Sequence, residues 1–231
     1  MKAMLFDAGP IISLTTNNLL WLLEPLKEVF KGEFYIPESV RKELVERPLQ
    51  TKKFKFEALQ VQREIEKGVL KVIKGDDVKA KAKQLLDMAN RIFYVHKHPI
   101  NVLQIGELEG LAAAKIRNIP YVVVDERVTR LLLESPGQME QLLENRLHAN
   151  VYVDSAKLVK LHKEVEGVQL IRSLELVTIA YELGLLEDYL VQIPEARKQL
   201  LQAILWGVKL NGCSAGQYEI DEVVDLELKK K

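Results

Sequence analysis

Apolar and polar positions along the first half of this chain of 231 residues follow two different periods. Short runs that are almost wholly apolar indicate buried strands, and stretches with apolar side chains at helical spacing indicate amphipathic helices. Strands that alternate with helices in this way predict an α/β fold with a parallel sheet. The strand candidates are residues 4–6, 35–37, 69–73 and 121–124, and the helix candidates are residues 19–30, 40–47, 52–67, 78–90, 105–114 and 127–133.

Two of the predicted strands end on a carboxylate. Asp7 directly follows residues 4–6, and Asp125 directly follows residues 121–124. Ligands of open α/β sheets gather outside the carboxyl ends of the strands, so the two aspartates are expected to meet although they are distant in sequence. Carboxylates that lie close together favour a divalent cation, because carboxylate oxygens are ligands of Mg²⁺ and offset its charge.

Two glutamates are expected to reach the same edge from helices. Ser39 is a candidate N-cap, and the helix that follows it places Glu43 beside the apolar face that docks on the sheet. Glu107 opens the helix over residues 105–114, whose glycine and alanines allow close packing against the strands. The sequence therefore predicts one acidic site built from two strand ends and two helices.

Each acid also has a structural explanation when it is taken alone. Asp7 could cap the turn at residues 9–10, and Glu43 could be an ordinary surface acid in a helix that also carries basic side chains. A shared metal site explains the acids together, because like charges so close to one another repel without a cation. The joint interpretation is the one that this sequence favours.

Four segments of the chain, in this order, resemble the PIN-domain nucleases, the fold of the VapC-type toxin ribonucleases. They are MLFDAGPIISL, which contains Asp7, IPESVRKE, which ends on Glu43, IGELEGLAAAKIRNIP, which contains Glu107, and VVVDER, which contains Asp125 and Glu126. The resemblance covers roughly residues 1–134 and resumes more weakly at residues 171–188, where IRSLELVTIAYELGLLED is similar to the terminal helix of one subgroup.

The resemblance implies a fold, a reaction and a set of site residues. The fold is an α/β/α sandwich with a central parallel sheet, with residues 1–134 as the nuclease core and residues 135–231 as a helical insertion and C-terminal extension packed on it. The reaction is metal-dependent endonucleolytic hydrolysis of RNA phosphodiester bonds, with one or two Mg²⁺ or Mn²⁺ ions as cofactor. The implied metal ligands and catalytic residues are Asp7, Glu43, Glu107, Asp125 and Glu126.

Two pairs of neighbouring acids leave the choice of ligand open. Glu107 and Glu109 are about 200° apart around a regular helix, so only one of them can face the cation. The spacing of apolar residues does not decide between them, and the family resemblance favours Glu107. Successive residues of a strand point to opposite faces, but at a strand end both Asp125 and Glu126 can reach the site.

The charge balance argues against a nucleic-acid binder, since 33 basic and 33 acidic residues cancel. One local strip favours nucleic-acid binding instead. In it, Lys52, Lys53 and Lys55 interleave with Phe54 and Phe56. Such a strip can hold single-stranded RNA by phosphate contact and stacking, although it is more often a solvated helix face. The neutral charge keeps an alternative open, a catalytically inactive PIN-fold scaffold or protein-interaction module.

Further features of the sequence bear on the location and biological role of the protein. A single cysteine, Cys213, excludes an intrachain disulfide, and neither a membrane-spanning segment nor a signal peptide is expected, which predicts a cytoplasmic protein. The resemblance suggests the toxin of a toxin–antitoxin pair with a small antitoxin as partner, but maturation and decay nucleases share the same acids.

Two apolar stripes in the C-terminal part exceed what a minimal nuclease core requires. Amphipathic helices of this kind are usually core, but in a compact nuclease they can also cover a second copy of the chain, so a homodimer is expected. The stripes are Leu174, Val177, Ala180, Tyr181 and Leu185, and Leu200, Leu201, Ile204, Leu205 and Val208.

Overall fold

The computed structural model describes residues 2–230, and a five-stranded parallel sheet lies at its centre. The strands of this sheet stand in the order β3, β2, β1, β6, β8, and every neighbouring pair is parallel. A smaller antiparallel sheet contains β5, β4 and β7. In chain order the strands are β1 (Ala3–Phe6), β2 (Glu33–Pro37), β3 (Leu70–Ile73), β4 (Phe93–Val95), β5 (His98–Pro99), β6 (Tyr121–Val123), β7 (Tyr152–Val153) and β8 (Gln169–Ile171).

Helices connect these strands and cover both faces of the central sheet. A π-helical turn, Lys42–Glu46, lies between α3 and α4, and short 3-10 turns cover Leu20–Leu22 and Glu187–Tyr189. The α-helices are α1 (Ala8–Thr16), α2 (Leu23–Phe30), α3 (Glu38–Arg41), α4 (Arg47–Leu49), α5 (Lys55–Glu66), α6 (Asp76–Ala89), α7 (Ile105–Ile116), α8 (Arg127–Glu134), α9 (Pro136–Leu147), α10 (Ser155–Glu164), α11 (Ser173–Glu182), α12 (Ala196–Leu210) and α13 (Gln217–Lys229).

Alternation along β1 divides the interior into two cores. Met4 and Phe6 pack on one face of the sheet with side chains from α1, α2, α5, α11, α12 and α13. Ala3 and Leu5 pack on the other face with side chains from α6, α7, α8, α9 and α10. Successive residues of a strand point to opposite faces, so a strand with helices on both sides is apolar throughout. The predicted α/β/α sandwich with a central parallel sheet and additional C-terminal helices is confirmed.

The C-terminal apolar stripes are covered within the chain. Those of α11 and α12 belong to the first core, where α12 packs against α1 and α11 and α13 packs against α12. The apolar faces of these helices are therefore buried within their own chain. The homodimer stays a prediction, and these stripes are not available as its interface. The proposed division at residue 134 also stays a prediction, and β8, which follows it, pairs with β6 in the central sheet.

The predicted N-cap at Ser39 differs from the structure. Ser39 is not the N-cap of a helix, because β2 runs through Pro37 and α3 begins at Glu38 with Pro37 in the capping position. The chain thus leaves the sheet and enters the helix without an intervening loop. The hydroxyl of Ser39 is buried and makes no hydrogen bond within the described chain.

The chain that follows α8 forms α9, β7 and α10, whose apolar side chains join the second core. Within residues 2–230, no helix combines the length and the apolar character that crossing a membrane requires.

Candidate active site

A cleft of about 390 Å³ opens at the carboxyl edge of the central sheet. The backbone N–H of Asp7 donates to the carbonyl of Val123 over 2.9 Å, which holds the ends of β1 and β6 side by side. The structure brings all five predicted acids to this cleft, and its acidic lining is Asp7, Glu43, Glu107, Asp125 and Glu126.

Three of the acids stand at the amino ends of helices. Asp7 occupies the N-cap position of α1 without a capping hydrogen bond from its side chain. Glu107, in the first turn of α7, accepts a hydrogen bond from the backbone N–H of Gln104 over 2.6 Å. Because the amino end of a helix carries partial positive charge, this arrangement offsets part of the repulsion among the carboxylates.

Glu126 is the third of these acids, and both of its oxygens bind the backbone of its own helix. They accept from the N–H groups of Val128 over 2.8 Å and Thr129 over 2.6 Å, so Glu126 is the N-cap of α8. A carboxylate oxygen has more than one acceptor direction, so this capping role leaves room for a further ligand. The structural and functional explanations of this residue are therefore compatible.

Glu43 reaches the cleft from an irregular segment rather than from the regular helix that its spacing predicts. It lies in the π-helical turn Lys42–Glu46, in which the adjacent residues Leu44 and Val45 are both buried. A π-helical turn carries one extra residue, which lets two successive side chains face the core while Glu43 stays exposed at the cleft.

Asp125 is held more firmly than the other acids. The residue is 2% exposed, and its carboxylate accepts three hydrogen bonds, from the Oγ of Ser13 over 3.1 Å and from the backbone N–H and Oγ of Ser173 over 2.8 and 2.7 Å. Neither serine stands out in the sequence pattern. Ser173 begins α11 just after β8, so the rule that groups gather at strand ends could have located it.

The connection between α12 and α13 forms a further wall of the cleft. Gly212 lines the cleft, and the backbone N–H of Ser214 donates to the carbonyl of Asp125 over 3.1 Å. Arg172, buried beneath this connection, donates to the carbonyl of Ser214 and to the carboxylates of Glu175 and Glu219. The C-terminal helices therefore complete the site as well as the core.

Cys213 lies in this connection but is buried. Burial raises the pKa of its thiol to about 12, and the nearby charge of Asp125 acts in the same direction. A thiol with so high a pKa is almost entirely protonated at neutral pH, which makes it a poor nucleophile. The structure gives it the role of a small buried side chain.

The carboxylates of the cleft disturb one another electrostatically. Burial raises the pKa of Asp7 to about 6, and repulsion from Glu43, Glu107 and Asp125 adds to the increase. The pKa of Glu107 is raised as well, by burial first and then by the charge of Glu126. These acids carry more negative charge than the cleft itself neutralises, which is the condition for cation binding.

The donors that line this cleft are carboxylate oxygens, the type that hard divalent cations prefer. Among residues 2–230, no three His, Cys, Asp or Glu side chains form a group that could hold a metal ion, so a ready-made cage of protein ligands is absent. Mg²⁺ is usually bound through one or two carboxylates with waters and substrate phosphates, and it does not require such a cage. Asp7, which makes no capping hydrogen bond, and the exposed Glu43 are the carboxylates most available to it.

Comparison with known proteins identifies the family. No curated protein and no solved structure matches this chain. A family model described as a PIN domain matches residues 3–138, which is more than half of the chain. This match, together with the nuclease-type fold, shows that the chain belongs to the PIN-domain family.

Proposed function

We propose that this protein is a metal-dependent endoribonuclease whose centre is the acidic cleft. The observation that carries the proposal is the convergence of five carboxylates on one cleft, where burial and mutual repulsion raise the pKa of Asp7. A structural ion-pair network would place cations beside these acids. Among the described residues that line this cleft there is no lysine or arginine.

The five acids of the cleft would have different roles, because their hydrogen bonds and exposure differ. Asp7 and Glu43 would bind Mg²⁺ or Mn²⁺ through their carboxylate oxygens. Glu107 and Glu126 would hold its waters while they remain bonded to helix amino ends. A bound cation would lower the pKa of a water and stabilise the charge of the attacked phosphate. Asp125, held by Ser13 and Ser173, would orient the water or the cation from the buried side of the cleft.

A cleavage assay tests this proposal directly. The purified protein should cut single-stranded RNA with Mg²⁺ or Mn²⁺ and stop with excess chelator. Asp7→Asn should abolish cutting while the protein stays folded, because it removes a ligand charge but keeps the side-chain volume. Asp87→Asn is the matched control, since Asp87 is exposed on α6, is not among the residues of the cleft, and should cut at the wild-type rate. Cleavage that persists in metal-free protein would refute the mechanism.

A scaffold without catalytic activity is the second candidate. It is favoured by the hydrogen bonds that Glu107, Asp125 and Glu126 already make within the chain, and by the zero net charge. Metal binding separates the two candidates, because an ion that binds only the native state raises the melting temperature. A clear rise in melting temperature on addition of Mg²⁺ or Mn²⁺, lost in Asp7→Asn, supports the nuclease. An unchanged melting temperature supports the scaffold.

The biological setting is a further part of the proposal. A toxin of a toxin–antitoxin pair would be neutralised by a small partner that places a basic side chain in the acidic cleft, whereas a maturation or decay nuclease would have no such partner. A gene for a small protein directly beside this one would favour the toxin. Sedimentation of the purified chain tests the proposed homodimer.

A further inference from the structure

A second cavity, of about 320 Å³, opens beside the acidic cleft. It lies between α1, the π-helical turn and α5, and Ile12 and Glu43 line both this cavity and the cleft. A ligand that occupies one therefore touches the wall of the other. We call it the side pocket, and its walls include Ile11, Ile12, Thr15, Leu44, Phe54 and Val61.

The side pocket combines apolar walls with one aromatic ring and a carboxylate of its own. Phe54 is 50% exposed and is held at the start of α5 in a left-handed backbone conformation, with φ of 60°. Glu57, in the first turn of the same helix, also lines the pocket. A flat aromatic ligand with a hydrogen-bond donor on its edge matches this combination, since the ring can stack and the donor can meet the carboxylate.

Three lysines accompany Phe54 in sequence, and one of them reaches its ring. Lys52, Lys53 and Lys55 flank Phe54 in sequence, and the Nζ of Lys53 lies 4.6 Å from the centre of the Phe54 ring. The segment thus puts positive charge next to an exposed aromatic ring beside the cleft. Positive charge beside a stacking surface is the arrangement by which proteins bind single-stranded nucleic acid.

We propose that the side pocket binds a nucleobase of the RNA strand whose phosphate lies in the acidic cleft. The base stacks on Phe54, its exocyclic amino group donates to Glu57, and the lysines contact the flanking phosphates. This inference rests on the proposed nuclease function and adds a site that selects where the strand is cut. An apolar segment of a protein is the competing occupant, and it requires neither the lysines nor Glu57.

An abasic scan tests the side pocket. The probe is a short fluorescent single-stranded RNA, prepared as a series in which one nucleotide at a time lacks its base. Cleavage is followed as kcat/KM in Mg²⁺, and binding is followed by anisotropy in chelator, where cutting is not required. The proteins compared are the wild type, Phe54→Ala and Phe54→Trp, with Tyr152→Ala as control for the loss of an exposed aromatic ring on the antiparallel sheet.

One abasic position should lower kcat/KM and affinity about tenfold in the wild type, in Phe54→Trp and in Tyr152→Ala. Phe54→Ala should already show this loss with intact RNA and should lose nothing more at that position. Glu57→Gln should weaken the preference for bases that carry an amino group while Phe54 still stacks. Together these results would place a base on Phe54.

Two outcomes overturn the inference. The first is an equal loss of kcat/KM and affinity at every abasic position. The second is the same loss in Phe54→Ala as in the wild type. Either result would favour an apolar protein segment as the occupant of the side pocket. The failure of the nuclease proposal looks different, because the wild type would then show no metal-dependent cleavage while the binding series could still show the abasic penalty in chelator.

Discussion

The Oγ of Ser173 donates a hydrogen bond of 2.7 Å to the Oδ2 of Asp125, and the backbone N–H of the same serine donates to Oδ1 over 2.8 Å. One residue at the start of α11 thus holds both oxygens of a carboxylate at the end of β6. A buried carboxylate requires such donors, because its desolvation is otherwise costly. The C-terminal helices therefore act on the site through Asp125.

Ser173→Ala should lower cleavage and stability together. The variant loses one donor to a buried charge, which costs about 1–3 kcal/mol, and it frees the Asp125 carboxylate to rotate. Ser173→Thr keeps a hydroxyl and should restore most of the rate. If Ser173 positions Asp125 for metal binding, the metal concentration needed for half-maximal cleavage should rise in Ser173→Ala. Thr178→Ala, on the same helix, is the control, and an unchanged metal requirement in both alanine variants would contradict this role.

Asp125→Ala and Glu126→Ala should both impair cleavage, with the larger loss at Asp125. Asp125→Ala leaves the donors of Ser13 and Ser173 without their acceptor, whereas Glu126→Ala removes a helix cap worth about 0.5–2 kcal/mol. Urea unfolding and initial rates at saturating metal measure the two effects. Wild-type rates in both variants would mean that this side of the cleft has no part in the reaction.

Asp7→Asn should stabilise the metal-free protein at neutral pH. The folded-state pKa of Asp7 is raised from 3.8 to about 6, so the folded chain binds more protons than the unfolded chain between these values. Stability therefore falls as pH rises through this interval and stays reduced above about pH 6, by roughly 1–3 kcal/mol.

Melting curves in chelator across this pH range provide the measurement. The variant should melt above the wild type at about pH 7, and this pH-dependent difference should disappear near about pH 3, where Asp7 is largely protonated in both states. Asp87→Asn should show no such dependence. Loss of folding in Asp7→Asn would support a structural role for Asp7 instead.

Glu107→Gln should lose most metal-dependent cleavage and most metal-induced stabilisation, while Glu109→Gln keeps the bulk of both. Glu107 lines the cleft and Glu109 is not among its lining residues. In Glu107→Gln the new side-chain amide oxygen can still accept from the backbone N–H of Gln104, so the first turn of α7 should persist. The opposite order of activity in two folded variants at equal metal concentration would place the ligand at Glu109.

Cys213 should resist alkylation in the native protein. A pKa raised from 9.0 to about 12 leaves roughly a thousandfold less thiolate at neutral pH, and burial blocks the reagent as well. Iodoacetamide labelling followed by mass spectrometry should be slow in buffer and fast in guanidinium. Rapid labelling under native conditions would show that the connection between α12 and α13 opens readily.

Local patterns along the chain were enough to predict that the acids at the strand ends would lie together. Asp7 and Asp125 follow short apolar runs, and the alternation of strands with helices was sufficient to predict parallel neighbours with a common carboxyl edge. Local periodicity carries this information because strand ends and helix faces depend on residues that are close in sequence.

The way each carboxylate is held depends on contacts between residues that are distant along the chain. The donors of Ser13 and Ser173 lie 112 and 48 residues from Asp125, and the wall at Gly212 comes from the far end of the chain. The π-helical turn that carries Glu43 likewise departs from the regular spacing. Contacts of this kind follow from how the helices pack across the sheet, and no pattern of neighbouring residues encodes that packing.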